Sequence, residues 1–340
     1  MHLTHIRPID AFQSRALLPA GDRSLPVWII NGARPGPTLV LTAGVHGCEY
    51  VGILALRRLA DMIRSVDTAY PPADMIRSAD MARPAGTARS IDMIRPEALA
   101  GRLILLPLVN AEGFYAGAKG IVPSDGKNIN RVFPARPGGT EAEQIALAIQ
   151  TEIYPEADFL LDLHGGDVNE AMTPLVFFPK DTAHEVNERS RLAASHLPVD
   201  VRIPSTAKNG LYSHAARCGI PALLMEVGGL GRWTEEEVER DLSGIRSLMG
   251  FLGMGETPRP NPAQREAAET LYLEAEADGL WFPRIRPGQA VSAEELLGVL
   301  EDLEGNPLQT VRAAWDGIVW YHTVSSGVRK GDALVAYGRY

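Results

Sequence analysis

Continuous apolar segments that alternate with helical patterns are the feature that most constrains the fold of this chain. The segments lie at residues 39–43, 102–109, 159–163, 175–178 and 222–225. Their apolar residues are consecutive rather than alternating, which is typical of strands that are covered on both faces. Helical patterns separate several of the segments. This order predicts an α/β fold in which a mostly parallel twisted sheet carries helices on both faces.

The first apolar segment leads directly into a candidate metal-binding motif. The segment breaks at Gly44, and His46 and Glu49 follow before a helical pattern begins at Val51. A turn at the carboxyl end of a parallel strand faces the crevice in which such sheets bind ligands. An imidazole and a carboxylate are two of the three protein ligands that a catalytic zinc ion requires. The motif is weak by itself, because such His–Glu pairs are common on protein surfaces.

Two later apolar segments end in residues of the same chemistry. The third segment is followed by His164 and the fifth by Glu226. Since ligands bind outside the carboxyl ends of the strands in such sheets, we expect both side chains to approach His46 and Glu49. Two imidazoles and a carboxylate leave zinc an open position for water, and Glu226 is the candidate acceptor of that water's proton.

A polar segment at residues 111–139 follows the second apolar segment. A loop of this length without an apolar period of its own is usually functional or disordered. It contains Asn130 and Arg131, and its end is marked by Thr140 and Glu143, which form a capping box for the next helix. We therefore expect this segment to contribute to the site.

Composition divides the chain into three parts. Residues 1–252 carry the α/β pattern, residues 253–262 form a linker with several prolines and glycines, and residues 263–340 contain short strands separated by turns. The last part resembles the biotinyl/lipoyl half-barrel, but it has no lysine in that family's attachment context, so we expect no attached cofactor. A repeated Asp-Met-Ile-Arg sequence occupies residues 66–95 and their surroundings, and it predicts a surface insertion without a catalytic role.

Charge and hydropathy narrow the range of partners. The net charge of −9 argues against a nucleic-acid partner, because phosphate binding needs a basic face. No apolar run approaches the ~18 residues of a membrane span, and the amino terminus lacks an apolar signal core, so the sequence predicts a cytoplasmic protein. Cys48 and Cys218 provide no disulfide framework. The sequence leaves the oligomeric state open, and a homo-oligomer is compatible with it.

The ordered set of His-x-x-Glu, Asn-Arg, Asp-Leu-His and a later glutamate resembles the succinylglutamate desuccinylase/aspartoacylase family, the deacylating branch of the zinc carboxypeptidase superfamily. The resemblance covers residues 39–229 by motif and the whole chain by the order of its domains. It implies one Zn²⁺ per chain, held by His46, Glu49 and His164. It also implies that Glu226 is the catalytic residue.

The same resemblance assigns the substrate contacts. The Asn-Arg pair that holds the substrate's carboxylate in the family falls on Asn130 and Arg131. The family usually has an arginine upstream of this pair to polarise the scissile carbonyl, whereas the cations in reach here are Lys119 and Lys127. We assign this role to Lys119 by its position, although an amine lacks the guanidinium fork.

Two further residues of the motifs have structural interpretations. Cys48 stands where the family commonly has asparagine, and we expect it to fill a tight turn rather than to serve as a redox group. Asp162 precedes His164 by two residues, and we expect it to point to the opposite face and to have a structural role.

These motifs and the resemblance favour a zinc-dependent amidohydrolase that acts on a small anionic N-acyl amino acid or a related amide. One alternative is a metallocarboxypeptidase, which uses the same ligand set on peptides. The β-rich third part favours the deacylase, since in the family a β domain narrows the entrance to the site. A further alternative is a non-catalytic binding protein on this fold, which would have no use for a general base at Glu226.

Overall fold

A nine-stranded sheet forms the centre of the structure, which is a computed structural model that describes residues 13–64 and 98–340. The repeated segment at residues 66–95 lies outside the described residues. With strands numbered in chain order, the sheet runs from β1 (Gln13–Ala20) through β2 (Arg23–Asn31), β4 (Ala100–Leu106), β3 (Arg34–Ala43), β5 (Phe159–His164), β9 (Ala222–Glu226), β7 (Leu175–Pro179) and β8 (Val201–Ser205) to β10 (Arg265–Glu266).

The sheet is mixed, with a parallel centre. Strands β4, β3, β5 and β9 run parallel to one another, and β7, β8 and β10 form a second parallel group. Antiparallel pairs join β1 to β2, β2 to β4 and β7 to β9. The connection between β1 and β2 is a turn of Gly21 and Asp22, which is long enough only for antiparallel neighbours. The predicted α/β class is confirmed, and the antiparallel pairs make the sheet mixed.

Helices cover both faces of this sheet, as the continuous apolar strands predicted. The helices are α1 (Tyr50–Arg64), α2 (Ala111–Ala116), α3 (Glu141–Ala148), α4 (His184–Ala194), α5 (Leu211–Arg217) and α6 (Glu235–Phe251). Alternate residues of β3 enter different cores: Leu39 and Leu41 pack with α1 and α6, whereas Val40 packs with α3 and α5. A strand that supplies two cores has no polar face, which explains why its sequence does not alternate.

The polar segment at residues 111–139 is more ordered than expected. It contains α2 and a 3₁₀ turn at Ile129–Arg131. The side chain of Asn110 caps α2, because its Oδ1 accepts a hydrogen bond of 2.8 Å from the backbone N–H of Gly113. The expectation of a loop without its own structure was therefore wrong, since a helix of six residues is too short to produce an apolar period.

Two smaller sheets form the carboxyl-terminal part. One contains β11 (Glu269–Glu274), β18 (Ala333–Arg339), β16 (Gly317–Thr323) and β13 (Ala290–Val291), and the other β15 (Pro307–Arg312), β14 (Leu296–Glu301), β12 (Gly279–Pro283) and β17 (Gly327–Val328). They share a core that includes Trp281, Leu300 and Tyr337.

Each of the two parts of the chain contributes one strand to a sheet of the other part. Strand β6 (Glu170–Met172), which follows β5, pairs with β16 of the carboxyl-terminal part. Conversely, β10 lies beyond residues 253–262 and extends the central sheet beside β8. These two strand pairings hold the β-rich part next to the carboxyl end of β5. Within residues 13–64 and 98–340, no helix is long and apolar enough to cross a membrane.

Candidate metal centre and active site

His46, Glu49 and His164 come together as the sequence predicted. Each offers one ligand atom, and these atoms all lie within 4.8 Å of one another. Glu49 lies between the two imidazoles: its Oε1 is 2.7 Å from Nδ1 of His46, and its Oε2 is 2.8 Å from Nδ1 of His164. Among the residues that the structure describes, this is the only such group of three or more His, Cys, Asp or Glu residues.

Backbone geometry brings the motif to this point. Strands β3 and β5 are parallel neighbours with Ala43 opposite Leu163, so the turns that follow them meet at one edge of the sheet. Gly44 begins the first turn with a φ of 65°, a conformation that residues with a Cβ rarely adopt. At Gly47 a Cβ atom would lie 2.1 Å from the backbone nitrogen of Phe114 in α2. Glycine at these two positions allows the motif to turn tightly beneath α2.

In both imidazole rings Nε2, the nitrogen that points away from Glu49, contacts an oxygen atom. Nε2 of His46 is 3.1 Å from Oδ1 of Asn128, which also accepts a hydrogen bond of 2.7 Å from the backbone N–H of Asn130. Nε2 of His164 is 3.0 Å from Oδ2 of Asp162. Both imidazoles therefore present Nδ1 to Glu49, which is the arrangement of metal-ligating histidines whose other nitrogen is held by an oxygen acceptor.

The expectation that Asp162 faces away from His164 was wrong. Side chains alternate between the two faces of a strand, so residues two apart in β5 share a face. Asp162 is completely buried, and its Oδ1 accepts a hydrogen bond of 2.6 Å from the hydroxyl of Thr42 on β3. It is thus held from one side and contacts His164 on the other.

The electrostatics of the cluster suit a cation. Burial raises the pKa of Glu49, but the charges of His46 and His164 outweigh it and lower the pKa to about 2. Burial likewise lowers the pKa of His164, yet Asp162 and Glu49 raise it well above its usual value. Positive charge is therefore favoured between these carboxylates. Two imidazole nitrogens and one carboxylate are also a donor set of catalytic zinc sites, so the residues present fit this metal.

Glu226 lies beside the cluster at the end of β9, where the register places it opposite His164. Its Oε2 is buried and has no hydrogen-bond partner among the described residues. Burial, supported by the charges of Glu49 and Glu170, raises the pKa of Glu226 well above its usual value, although the charge of His164 acts in the other direction. A carboxyl group with a raised pKa next to a candidate metal centre is suited to proton transfer.

Asn130 and Arg131 occupy different environments. Asn130 is buried: its Oδ1 accepts a hydrogen bond of 2.8 Å from the backbone N–H of Leu211 at the start of α5, and its Nδ2 is 3.3 Å from Nε2 of His164. Arg131 is exposed and donates to the backbone carbonyl of Asn130 over 2.9 Å. No carboxylate pairs with Arg131 in the described part of the chain. Its guanidinium therefore remains available, whereas the amide of Asn130 is engaged within the protein.

The two candidate lysines are also separated by their contacts. Lys127 forms an ion pair of 3.0 Å with Glu143 of α3. Lys119 is half-exposed, and its Nζ lies 3.9 Å from Oδ2 of Asp167, which follows β5. Lys119 precedes Gly120, where a Cβ atom would lie 3.9 Å from Cδ2 of His46. Lys119 is therefore on a segment that adjoins the cluster, and its role as the carbonyl-polarising cation stays a hypothesis.

Cys48 has the contacts of a packing residue. Only 1% of it is exposed, and its Sγ donates to Oδ1 of Asp167 over 3.3 Å. Burial and the charges of Asp167 and Glu49 raise the pKa of this thiol to about 12. The thiolate that redox chemistry would need is therefore scarce at neutral pH.

Sequence reasoning missed several residues around the cluster. Asn128 and Asp162 stand within the recognised motifs, and strand alternation would have revealed the second. The carboxyl-terminal sheet adds Tyr272 of β11 and Tyr321 of β16. Tyr272 is half-exposed, and partial burial, together with the charge of Glu226, raises its pKa to about 12. No local sequence signal marks either tyrosine.

The fold and the cluster define a class of protein: an α/β protein whose parallel strands end at two histidines and a glutamate, the donor set of catalytic zinc sites. Residues 85–252 match the succinylglutamate desuccinylase/aspartoacylase catalytic domain. This match assigns residues 85–252 to the catalytic domain of that family. The matched range contains His164 and Glu226, whereas His46 and Glu49 precede it.

Similar proteins span nearly the whole chain. The chain is 26% identical over 322 residues to the N-alpha-acetyl-L-2,4-diaminobutyric acid deacetylase of Halomonas elongata, which covers 91% of this chain and 84% of that protein. A succinylglutamate desuccinylase/aspartoacylase from Rhodobacter sphaeroides has a similar crystal structure, with a TM-score of 0.77, 27% identity and coverage of 96% and 95% of the two chains. The product-bound ectoine utilization protein EutE (DoeB) from Ruegeria pomeroyi has a TM-score of 0.79, 25% identity and coverage of 98% of each chain.

Proposed function

We propose that this protein is a zinc-dependent amidohydrolase that removes the acyl group from an N-acyl amino acid. The observation that carries the proposal is the position of Glu226. Its carboxyl group has a buried oxygen without a hydrogen-bond partner in the described chain, opposite His164 and beside three residues whose ligand atoms lie close enough together to hold a metal ion. A general base next to such a set is the arrangement that amide hydrolysis by an activated water requires.

His46, Glu49 and His164 would hold the zinc ion. When bound, zinc supplies Lewis acidity that polarises a carbonyl and lowers the pKa of water to about 7. The protein's part is to orient the ligands: Asn128 and Asp162 hold the far nitrogens of the two imidazoles, and Glu49 lies between the rings. This support keeps both Nδ1 atoms directed at one point.

Glu226 would move the proton. It accepts a proton from the attacking water and delivers it to the nitrogen of the scissile amide, which then leaves as an amine. Its surroundings suit both steps, because burial and neighbouring carboxylates raise its pKa. A carboxylate with a raised pKa is a stronger base for the first step, and it favours the protonated form that the second step needs. A fully exposed carboxylate would release that proton near pH 4 and would be a weaker acid catalyst at neutral pH.

Arg131 and Lys119 would bind the substrate. The exposed guanidinium of Arg131 has no carboxylate partner in the described chain, so it is available to bind the substrate's carboxylate bidentately. Lys119 adjoins the cluster and would stabilise negative charge on the scissile carbonyl oxygen. Asn130 contributes by position, since its side chain lies against His164 and the start of α5. The names of the relatives support an N-acyl amino acid as the substrate class.

The proposal is tested by the release of free amine from N-acetyl, N-succinyl and N-formyl amino acids and from a tetrapeptide by zinc-loaded protein. Glu226→Gln is expected to retain the metal and to lower turnover about 10²- to 10⁴-fold. Glu236→Gln, which removes a carboxylate from the exposed first turn of α6, is the matched control and should keep its activity.

Other results of these assays would indicate one of the alternative functions or exclude the role of Glu226. Faster cleavage of the tetrapeptide than of every acyl amino acid would identify a metallocarboxypeptidase. Binding of these compounds without turnover of any would identify a non-catalytic binding protein. Wild-type turnover in the Glu226→Gln variant would remove Glu226 from the reaction.

A further inference from the structure

One row of residues crosses the carboxyl-terminal sheet and ends in β6, the strand that follows β5 in the chain. Tyr272 of β11 pairs with Ala336 of β18, Ala336 pairs with Tyr321 of β16, and Tyr321 pairs with Met172 of β6. Residues that lie directly opposite in antiparallel strands point to the same face of a sheet. The small side chain of Ala336 separates the two tyrosines, and their ring centroids are 6.4 Å apart with an interplanar angle of 45°. Two aromatic rings therefore share one face of this sheet.

Glu170 continues the same face. It precedes Met172 by two residues in β6, so the side chains of both residues point to the face that carries Tyr321. The backbone carbonyl of Glu170 accepts a hydrogen bond of 3.2 Å from the N–H of Leu230, four residues beyond Glu226. Strand β6 is thus fixed between the segment that follows Glu226 and the carboxyl-terminal sheet.

Among the described residues the carboxylate of Glu170 forms no ion pair, although the charge of Lys119 acts on it from a longer distance. Its Oε2 accepts a hydrogen bond of 3.2 Å from the backbone N–H of Asp167. The nearby Lys119 is paired instead with the side chain of Asp167, at 3.9 Å. A largely buried carboxylate without a counter-charge is costly unless a cation joins it. Aromatic rings beside such a carboxylate add a second favourable interaction for an ammonium group, through the negative faces of the rings.

We propose that Glu170, Tyr321 and Tyr272 form a subsite that binds a positively charged group on the side chain of the substrate. This inference rests on the proposed deacylase function and narrows its substrate to N-acyl amino acids with a cationic side chain. Arg131 would bind the α-carboxylate of the same molecule. The site would therefore bind one negatively charged group and one positively charged group of the substrate. The ammonium group would complete the hydrogen bonding of Glu170, which the protein leaves with a single backbone donor.

The electrostatic environment of the three residues supports their proximity. Burial and then the charge of Glu170 raise the pKa of Tyr321, and the charges of Tyr272 and Glu226 act in the same direction. Burial, Asp167 and Glu49 raise the pKa of Glu170, while its backbone hydrogen bond and Lys119 lower it. The substrate in the name of the Halomonas elongata relative, N-alpha-acetyl-L-2,4-diaminobutyric acid, has a side-chain amine of the kind that this subsite would bind.

The test compares two substrates of equal shape. N-acetyl-L-2,4-diaminobutyrate carries an ammonium group where N-acetyl-L-norvaline carries a methyl group. The wild-type protein is expected to favour the cationic substrate in kcat/KM, and Glu170→Gln should lower that ratio about ten- to hundredfold, mainly through KM. Tyr321→Phe keeps the aromatic face and should keep the preference, whereas Tyr321→Leu and Tyr272→Leu should reduce it. Glu304→Gln, an exposed change in the β14–β15 turn, controls for net charge.

A binding experiment separates this inference from the proposed function. Calorimetry of zinc-loaded wild-type and Glu170→Gln proteins with L-2,4-diaminobutyrate and L-norvaline requires no turnover. A preference for the diamine that the variant loses would support the subsite even if no acyl amino acid were hydrolysed. Efficient hydrolysis of N-acetyl-L-norvaline without a preference for the cationic substrate would overturn the subsite and leave the deacylase function intact. An unchanged preference in Glu170→Gln and in both leucine variants would also overturn it.

Discussion

Oδ2 of Asp162 lies 3.0 Å from Nε2 of His164, on the opposite side of the ring from Glu49. The imidazole is therefore held at both nitrogens by carboxylates. Because Thr42 hydrogen-bonds the other oxygen of Asp162, the orientation of the ring is fixed by the central sheet itself. The geometry of the candidate metal centre thus depends on a residue outside the group of candidate ligands.

The contact between Asp162 and His164 should increase the affinity for zinc. Asp162→Asn should lower zinc affinity about 10- to 100-fold, because an amide is a weaker acceptor for the His164 ring and no longer increases its basicity. Competition with a chelator measures the change. Asp158→Asn, which alters a carboxylate that accepts from the backbone of Thr38 before β5, is the control and should retain wild-type affinity. Equal affinities in the two variants would assign Asp162 a structural role only.

A ligand change should have a larger effect than a change in its support. We expect His164→Ala to lose most of its zinc, since two protein ligands hold the ion far less tightly than three. Elemental analysis of purified protein gives the zinc content per chain, with one ion expected in the wild type. His184→Ala removes an exposed histidine at the start of α4 and should keep full occupancy. Full occupancy in His164→Ala would refute the ligand assignment.

Arg131→Ala tests whether Arg131 binds the carboxylate of the substrate. The variant is expected to lower kcat/KM at least about tenfold for a free-acid N-acyl amino acid, because a bidentate charge-assisted pair is lost. The amide-blocked analogue has no carboxylate and should be affected much less. Steady-state kinetics on the two substrates gives the comparison, and equal losses on both would release Arg131 from this role.

The free energy of unfolding should depend on pH because of Asp241. It is completely buried in α6, and neither of its carboxylate oxygens has a hydrogen-bond partner in the described chain. Burial and the charge of Glu237 raise its pKa well above the usual value, against the opposing charge of Arg240. The folded state then holds a proton that the unfolded state releases above a pH of about 4, so this group lowers stability as the pH rises above that value.

Asp241→Asn removes that titration. The variant is expected to gain about 1 kcal/mol or more in the free energy of unfolding at pH 8 relative to wild type, and the gain should disappear near pH 4. Urea denaturation at both pH values measures it. Glu236→Gln on the exposed side of the same helix should show no such trend. A variant less stable than wild type at pH 8 would mean that the ionised carboxylate is stabilised in the folded protein.

The two cysteines should differ in reactivity. Cys218 is exposed, whereas Cys48 is buried and its pKa is raised to about 12 by burial and by Asp167 and Glu49. A colorimetric thiol reagent at pH 8 should therefore react rapidly with one thiol per native chain and with both in denaturant. Rapid reaction of both thiols in the native protein would contradict the packing role of Cys48.

The sequence determined the central strands and the points at which the candidate metal ligands leave them. Residues 39–43 and 159–163 are apolar apart from Thr42 and Asp162, because each strand supplies cores on both faces, and this requirement is visible locally. His46 and Glu49 follow such a strand, and His164 and Glu226 each end one, so the parallel arrangement alone brings them to one edge. The prediction of these elements needed no knowledge of distant contacts.

The tertiary structure decided what surrounds the ligands. The sequence pattern did not show that β7 would run antiparallel to β9, that the amide of Asn130 would turn inward to Leu211 and His164, or that β6 would join the sheet of Tyr272 and Tyr321. Each of these depends on pairing between residues far apart in the chain. Local periodicity reports whether a side chain is buried, but the partner it meets is set by packing and strand register across the whole fold.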